Sequence, residues 1–501
     1  MRCGKDCSRK PASRLVFKNV TREDLPRKAC PAAQKLEKII GVTLKEIESK
    51  LKAAGGQAKY IPIQIKKSLT MQEIAIVETE LSNLPGVTIQ EFIARQYMMN
   101  EVGAHLLGYV NQLNADQVDR YTKIHPLVEL HPNDLVGNGG VELTWDAKLR
   151  GQNGYEFIEV DARGRKKPRI HTHNLFEGIK DRIPVSGNNI KLTIDLDLQQ
   201  IADDGIGTQV GSVVVMDVRN GEILVMTSKP SFSPAVFSEK LTSKYWNSLL
   251  FDPRKPLIDR NVQQHYSPGS TLKPFTAITL LEEGKITEKT RVGCSGSFPF
   301  GRKVYHCWKK QGHGAIDIVG AIRESCNIFF QQNLARLSID TLHRYYSMFG
   351  FGEKTGINLP QEVPGLNPST KWKLDRLKQS WQQGETLSVG IGQSFFLAST
   401  LQLARAYAAI ANEGKVFKPH LVKEITDQNG KSVYRDTPEL VREIKLKPNT
   451  WKYVKMGLHD VVMDPRGSGQ RSRPLKTSMA GKTGTSQVRS FSANKIYDLC
   501  E

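Results

Sequence analysis

The stretch Tyr266-Ser267-Pro268-Gly269-Ser270-Thr271-Leu272-Lys273-Pro274-Phe275 places a serine and a lysine three residues apart near the middle of the 501-residue chain. The Pro-Gly pair predicts a turn that leads into a helix, in which positions i and i+3 share a face. A lysine accepts a serine proton only when burial or a nearby cation keeps its amine neutral. The unpaired N–H groups of a helix start favour an oxyanion beside the serine. Ser270 and Lys273 therefore predict acyl transfer.

Two further motifs raise the specificity of this pair. Ser-x-x-Lys also occurs by chance at Ser49 and Ser492, where the Pro-Gly turn is missing. After Ser270, however, the chain has Ser325-Cys326-Asn327 and then Lys482-Thr483-Gly484. Motifs of these three types, in this order, occur in class A β-lactamases and penicillin-binding proteins.

The flanking sequence distinguishes these copies of the second and third motifs from other matches in the chain. Ser325 lies in a helix-like run over 321–330, which places the serine and the asparagine at its polar edge. Lys482 lies in a run over 479–488, whose two glycines predict an edge strand that a substrate backbone can approach closely. We reject the second copies of these motifs, because they lie in turn-rich sequence, at Ser186-Gly187-Asn188 and Lys354-Thr355-Gly356.

With these motifs, and with the stretches 211–217, 390–393 and 401–408, the chain resembles the class B penicillin-binding proteins, the monofunctional D,D-transpeptidases. Within that class it resembles most closely the penicillin-binding protein 2 group, which serves cell elongation. The resemblance covers roughly residues 60–501. It implies a multidomain fold of the α+β and α/β type.

The resemblance also implies two domains. Residues 1–189 would form an elongated pedestal, or dimerisation, domain, and residues 190–501 a penicillin-binding transpeptidase domain with a central antiparallel sheet flanked by helices. The boundary follows the turn-rich segment 184–189, after which an alternating strand leads to Asp195, a predicted helix cap rather than an acid or base. Periodicity predicts amphipathic helices over 33–54 and 71–84.

Composition restricts the class of protein further. A hydrophobic content of 39% permits large cores, and the chain carries a net charge of +20 with a pI of about 9.5. Helix-turn-helix, zinc-finger and RNA-binding signatures are missing from the sequence, so we expect no nucleic-acid partner. A basic surface instead suits anionic phospholipid and cell-wall polymers.

The two ends differ from the pattern of the family. The sequence contains no apolar run of the roughly 18 residues that a membrane helix needs, and no signal-peptide core. Family members are tethered by an N-terminal helix and continue past the third motif with another strand and a helix. We therefore expect a chain truncated at both ends. The resemblance implies a domain in the periplasm, anchored in the inner membrane.

The resemblance assigns a role to each motif residue. Ser270 would be the nucleophile, Lys273 its base, Ser325 a proton relay to the departing D-alanine, and Asn327 the group that orients the acyl chain. Lys482 would keep the local field positive and, with Thr483, Gly484 and Thr485, bind the substrate carboxylate. The implied partners are peptidoglycan stem peptides, β-lactams and a glycan polymerase of the SEDS type in the membrane.

Two other functions compete with transpeptidation. The first is a serine β-lactamase or antibiotic sensor, and the large pedestal argues against it. The second is a non-catalytic scaffold, a truncated partner of a glycan polymerase. Covalent labelling by penicillin separates a catalytic protein from a scaffold.

The cysteines leave three alternatives open. Cys294, Cys307 and His313, together with Cys326 in the second motif, would form a structural zinc site if the fold brings them together. Cys294 and Cys307 would instead form a disulfide in an oxidising compartment, or all of them would stay free thiols. The spacing matches no standard metal signature. The acyl-transfer chemistry itself requires no cofactor.

Overall fold

The computed structural model describes residues 10–17, 31–53, 63–66, 69–84, 87–113, 117–124, 126, 130, 134–155, 157, 182–238 and 241–486. All pairs of regular strands in these ranges are antiparallel. No helix within them combines the length and the apolar character that crossing a bilayer requires.

The first part of the chain forms a small sheet covered by helices. Its elements are β1 (Lys10–Phe17), α1 (Pro31–Ile40), α2 (Leu44–Ala53), β2 (Ile63–Lys66), α3 (Met71–Glu80) and β3 (Val87–Ala94). Strand β1 lies between β2 and β3. The apolar faces of the three helices meet in a core that includes Leu36, Ile47, Ile65, Val77 and Leu84.

The helices of this part differ in one respect from the sequence prediction. The predicted helix over 33–54 is wrong as a single element, because Gly41 adopts a φ of +66° and separates α1 from α2. The helix predicted over 71–84 is present and begins after a capping box formed by Thr70 and Glu73. It continues into a short 3₁₀ turn over Leu81–Asn83.

A second group of short elements follows. It comprises α4 (Ala104–Leu107), β4 (Tyr109–Gln112), α5 (Val118–Ile124), β5 (Leu135–Asn138), α6 (Gly140–Thr144) and α7 (Asp146–Leu149). Strand β4 pairs with β5. Glu142 pairs with Arg95 at 2.7 Å, and the buried Asp146 accepts a hydrogen bond from the Gly137 N–H at 2.8 Å. These contacts fix α6 and α7 against the sheet.

The remaining elements form the larger part of the molecule. They are β6 (Asn189–Leu192), α8 (Leu196–Ile206), β7 (Gly211–Met216), β8 (Ile223–Lys229), α9 (Pro234–Ser238), α10 (Ser243–Leu250), α11 (Lys273–Glu282), β9 (Val292–Cys294), β10 (Ser297–Phe300), β11 (Lys303–His306), β12 (Gly314–Ile316), α12 (Ile318–Arg323), α13 (Asn327–Leu334), α14 (Ile339–Met348), α15 (Thr370–Leu377), α16 (Gln383–Val389), α17 (Thr400–Ala411), β13 (Lys415–Phe417), β14 (Val422–Thr426), β15 (Ser432–Arg435), β16 (Leu440–Glu443) and α18 (Pro448–Met463).

The strands of this part form small antiparallel sheets. Strand β14 lies between β15 and β6, and β7 pairs with β8 in a hairpin that packs against α8 and α17. Asp195 caps α8, because its carboxylate accepts a hydrogen bond from the Leu198 N–H at 3.1 Å. The predicted cap is confirmed.

Helix α11 lies at the centre of the largest core. Its residues from Lys273 to Leu280 are buried, and α12, α13, α14 and α18 pack around it. The Phe275 ring has its centroid 4.9 Å from that of Phe349, 5.1 Å from that of Phe351 and 5.4 Å from that of Tyr407. This packing fixes the start of α11, where Ser270 and Lys273 lie.

We predict that Phe275→Ala lowers the free energy of unfolding by roughly 3–5 kcal/mol, because it removes the centre of this aromatic cluster and leaves a cavity. Phe251→Ala, at a side chain that is 76% exposed, serves as the control and should change stability by less than about 0.5 kcal/mol. Urea denaturation followed by tryptophan fluorescence measures both. Equal losses for the two variants would contradict the packing argument.

Candidate active site

Ser270 lies in a tight turn that leads into α11. Residues Gly269–Leu272 form a 3₁₀ turn, and the α-helix begins at Lys273. Pro274 lies in its first turn, where a backbone N–H would have no partner within the helix. Gly269 has a φ of +56°, a conformation that favours glycine. The turn and helix start predicted from the sequence are present.

Two other segments contact this turn through glycine backbone. The Gly269 N–H donates to the Gly392 carbonyl at 2.8 Å, and a Cβ at Gly392 would clash with the Gly269 carbonyl. A Cβ on Gly269 would lie 2.6 Å from the Thr485 carbonyl oxygen. Gly484 packs in the same way against Pro268 and Thr271. Side chains at these glycines would therefore separate the segments that meet at Ser270.

The Lys273 amine is completely buried and reaches the second motif. Its Nζ donates to the Ser325 carbonyl at 2.7 Å and to Asn327 Oδ1 at 2.6 Å, and lies 3.2 Å from Ser325 Oγ. Within the described part of the chain the Ser270 hydroxyl has no hydrogen-bond partner. Lys273 therefore joins the first two motifs, while the Ser270 hydroxyl stays available.

Ser325 lies between two lysines at a break in the helical run. Helix α12 ends at Arg323 and α13 begins at Asn327, whereas Ser325 itself adopts a φ of +55°. This backbone turn places its buried hydroxyl 2.9 Å from Lys482 Nζ as well as near Lys273. The continuous run over 321–330 is therefore divided at the motif serine, which lies inside the site rather than at a polar edge.

The two amines influence one another. Burial lowers the pKa of Lys273 to about 7. Burial, reinforced by the charge of Lys273, lowers the pKa of Lys482 to about 6. Because both amines approach the Ser325 hydroxyl, a positive charge on one disfavours a positive charge on the other. Near neutral pH the site therefore holds at least one amine that can accept a proton.

The third motif contacts the site without forming a strand. Residues 479–486 are irregular in the described structure, so the predicted edge strand is wrong here: this segment has no described neighbouring strand with which to pair. Lys482 Nζ donates to the Thr483 carbonyl at 2.9 Å. Thr483 and Thr485 are exposed beside the Ser270 turn. Both residues therefore lie at the surface, where the Thr483 hydroxyl is within hydrogen-bond distance of Ser468.

Sequence reasoning did not identify two residues that hold these segments in place. The Ser468 hydroxyl lies 2.8 Å from Thr483 Oγ1, and its N–H donates to the Arg323 carbonyl at 3.1 Å, which links the third motif to α12. The hydroxyl of the partly buried Tyr407 donates to the Thr271 carbonyl at 2.6 Å. Ser468 lies in a Gly-Ser-Gly triplet, a signal for a close backbone approach.

The fold gathers the cysteines named above into a cluster. Ligand atoms of Cys294, Cys307, His313 and Cys326 all lie within 4.8 Å of one another, and His313 Nδ1 lies 3.5 Å from the sulfur atoms of Cys294 and Cys307. The structure joins none of Cys294, Cys307 and Cys326 in a disulfide. A hydrogen bond with Cys326 lowers the pKa of Cys307 to about 4.

This cluster adjoins the second motif. The Asn327 N–H points to Cys307 Sγ at 3.4 Å, and Cys326 Sγ caps α13 through the Phe329 N–H at 3.4 Å. Strands β9 and β12 pair between residues 292 and 316 and bring Cys294 close to His313. The cluster therefore fixes the backbone on both sides of Cys326.

Comparison with known proteins gives consistent matches over both parts of the chain. Residues 211–498 match the family described as the penicillin binding protein transpeptidase domain, and residues 9–192 match the penicillin-binding protein dimerisation domain. The peptidoglycan D,D-transpeptidase MrdA of Salmonella typhimurium is 34% identical over 470 residues, which cover 93% of this chain and 74% of that protein.

Solved structures are similar as well. The penicillin-binding protein PBP2 of Helicobacter pylori, in its complex with MreC, matches with a TM-score of 0.79 and 26% identity, over 96% of this chain and 85% of that chain. A peptidoglycan synthase complex that coordinates polymerization and crosslinking matches with a TM-score of 0.71 and 29% identity, over 96% and 78% of the respective chains.

Proposed function

Because the chain belongs to the penicillin-binding protein transpeptidases that carry a dimerisation domain, we propose that it is a peptidoglycan D,D-transpeptidase that cross-links stem peptides during cell elongation. The family matches confirm the predicted fold class, a dimerisation domain and a transpeptidase domain built from helices and antiparallel strands. The observation that carries the mechanism is the Ser325 hydroxyl held between Lys273 and Lys482.

Acylation begins at Ser270. Its oxygen attacks the carbonyl carbon of the penultimate D-alanine while neutral Lys273 accepts the hydroxyl proton. The negative charge that develops on the carbonyl oxygen would be stabilised by the N–H groups of Ser270 and Thr485. The close approach of the Thr485 backbone to Gly269 supports this assignment, because it brings Thr485 next to the residue that precedes Ser270.

The departing D-alanine is handled by the second and third motifs. Ser325, which contacts both amines, would pass the proton to the leaving nitrogen, and the Asn327 amide would orient the acyl chain. The terminal carboxylate would bind Lys482, Thr483 and Thr485. Because this negative charge stabilises the Lys482 ammonium, substrate binding would leave Lys273 as the neutral amine of the pair. An amine from a second stem then releases the acyl chain, and a β-lactam imitates the donor.

The competing functions are less well supported. A β-lactamase needs a base that activates water against the acyl-enzyme. Among the described residues, no carboxylate accepts a hydrogen bond from Ser270, Lys273 or Ser325. A pure scaffold has no need for two buried amines around a hydroxyl, an arrangement that is costly to desolvate.

The proposal extends to partners and location. The relatives were solved with MreC or within a peptidoglycan synthase complex. By analogy, we propose that this protein acts with a glycan polymerase of the SEDS type, at the periplasmic face of the inner membrane. The basic composition of the chain favours such an anionic surface.

Fluorescent penicillin provides the central test. We predict covalent labelling of the wild-type protein and its complete loss in Ser270→Ala, because the ester can form only at the nucleophile. Ser49→Ala, in α2, removes the serine of a chance Ser-x-x-Lys match and should label normally. Gel fluorescence and mass spectrometry of the labelled peptide measure the outcome. Labelling that persists in Ser270→Ala would refute the assignment of the nucleophile.

The pH dependence of acylation tests the role of Lys273. Its pKa is lowered to about 7, so its neutral fraction falls as the pH drops below that value. We therefore predict that the second-order rate constant for penicillin acylation decreases by about tenfold per pH unit below pH 7 and levels off above it. Stopped-flow measurements between about pH 5 and 9 determine the profile. A rate that does not change over this range would exclude Lys273 as the base.

We further propose that Cys294, Cys307, His313 and Cys326 bind a structural zinc ion. A tetrahedral zinc ion with Zn–S bonds of about 2.3 Å holds its ligands about 3.8 Å apart, and the four donor atoms here lie within 4.8 Å of one another. The lowered pKa of Cys307 supplies a thiolate. Such an ion would stabilise the backbone around Ser325 and Asn327 and take no part in the acyl transfer.

We predict about one zinc ion per chain in the purified protein, measured by plasma mass spectrometry. Cys307→Ser should lower both the zinc content and the thermal midpoint, because it removes the thiolate ligand. Cys30→Ser, at a cysteine outside the described residues, is the control and should leave both unchanged. Detection of a Cys294–Cys307 disulfide in the purified protein would instead support the alternative that the sequence left open.

A further inference from the structure

Trp308 is a large aromatic residue at the rim of the active site. It follows β11 and is 61% exposed. Its indole Nε1–H donates to the Glu324 carbonyl at 3.0 Å, and its ring centroid lies 5.5 Å from that of His313 in an edge-on arrangement. The side chain therefore has a fixed position although most of its surface faces solvent.

The anchor of this ring places it beside the second motif. Glu324 directly precedes Ser325, whose hydroxyl contacts Lys273 and Lys482. Close to Trp308 in sequence, the His306 carbonyl accepts a hydrogen bond from the Asn327 amide at 3.2 Å. The segment 306–308 thus contacts the motif on both sides of Cys326. The exposed indole adjoins the side of the site on which Ser325 lies.

The order of the chemical steps indicates which groups move past the Ser325 side of the site. If Ser325 delivers the proton to the departing amine, the leaving group exits along the Ser325 side. By microscopic reversibility the acceptor amine approaches along the same path. A rigid, exposed indole face there would be covered by the acceptor rather than by the protein, and aromatic rings supply large apolar contact areas.

We propose that Trp308 forms the wall of the acceptor subsite and packs against the apolar part of the incoming amine substrate. This inference rests on the proposed transpeptidase function. In the step concerned, the acceptor nitrogen bonds to the acyl carbon and the ester bond to Ser270 Oγ breaks. The proton leaves the nitrogen and reaches Ser270 Oγ through the amine and hydroxyl groups of the site. Trp308 binds the acceptor without exchanging protons.

A partition experiment tests the proposal. The full chain is acylated with a thioester analogue of an acyl-D-alanine donor, and the acyl-enzyme is offered water alone, D-alanine or D-leucine. The ratio of aminolysis to hydrolysis is measured against acceptor concentration. For the wild type we expect D-leucine to be used about tenfold more efficiently than D-alanine, because its side chain packs on the indole.

Trp308→Ala should abolish the preference for D-leucine, measured as the efficiency of aminolysis by D-leucine divided by that by D-alanine, a ratio from which any change in the rates of acylation or hydrolysis cancels. Trp308→Phe keeps an aromatic face and should retain most of the preference. Val304→Ala is the matched control: it removes an exposed apolar side chain, 55% exposed, from the same hairpin, and should behave as wild type. Thermal midpoints measured for every variant show whether a change in preference comes with a general loss of structure.

The results distinguish a failure of the acceptor subsite from a failure of the proposed transpeptidase function. If the wild type reacts with the donor but shows no preference for D-leucine, or keeps that preference in Trp308→Ala, the acceptor subsite is refuted and the transpeptidase function stands. If neither penicillin nor the thioester acylates Ser270 in the wild type, the proposed function itself fails and the acceptor subsite fails with it.

Discussion

The burial of the Lys273 amine is the constraint on which the rest of the site depends. A completely buried ammonium loses its hydration, and the protein replaces it with the Ser325 carbonyl and the Asn327 amide oxygen at 2.7 and 2.6 Å. The same burial lowers the pKa and makes the amine a usable base. The second motif therefore satisfies the hydrogen bonds of the amine and, in the proposed mechanism, also passes a proton to the leaving group.

Backbone contact, rather than side-chain packing, brings the segments together. Glycines at 269, 392 and 484 meet one another or the neighbouring main chain at distances that exclude a Cβ. Because such close backbone contacts tolerate little displacement, their geometry depends on the rigid core behind them. The hydrogen bond from the Tyr407 hydroxyl to the Thr271 carbonyl and the aromatic cluster around Phe275 provide that rigidity. Ser270, the proposed nucleophile, lies on a turn whose Gly269 and Leu272 are buried, and it is thereby held in one position.

The sequence predicted which motif residues come together better than it predicted where the helices break. Ser270, Lys273, Ser325, Asn327 and Lys482 could be selected because reactive groups recur with fixed spacing, and the structure brings four of them into direct contact around the Ser325 hydroxyl and the start of α11. The breaks at Gly41 and Ser325 were missed, because a single left-handed residue hardly changes hydrophobic periodicity. Ser468 was missed for a different reason: its contact with Thr483 joins residues of separate elements, which no local pattern records.

The cysteine cluster shows why such long-range features need coordinates. Cys294, Cys307 and His313 lie on both sides of the hairpin of β10 and β11, and the pairing of β9 with β12 brings them together. Their spacing in the sequence does not show this, so zinc, a disulfide and free thiols all remained open there. In the fold, the same hairpin carries Trp308 and contacts Asn327 through the His306 carbonyl. A metal ion bound at its base would stiffen the hairpin without touching the substrate. In the proposed function, the segment 292–316 would connect the stability of the second motif to the shape of the surface that an acceptor meets. One short segment would then set both the rigidity and the selectivity of the site.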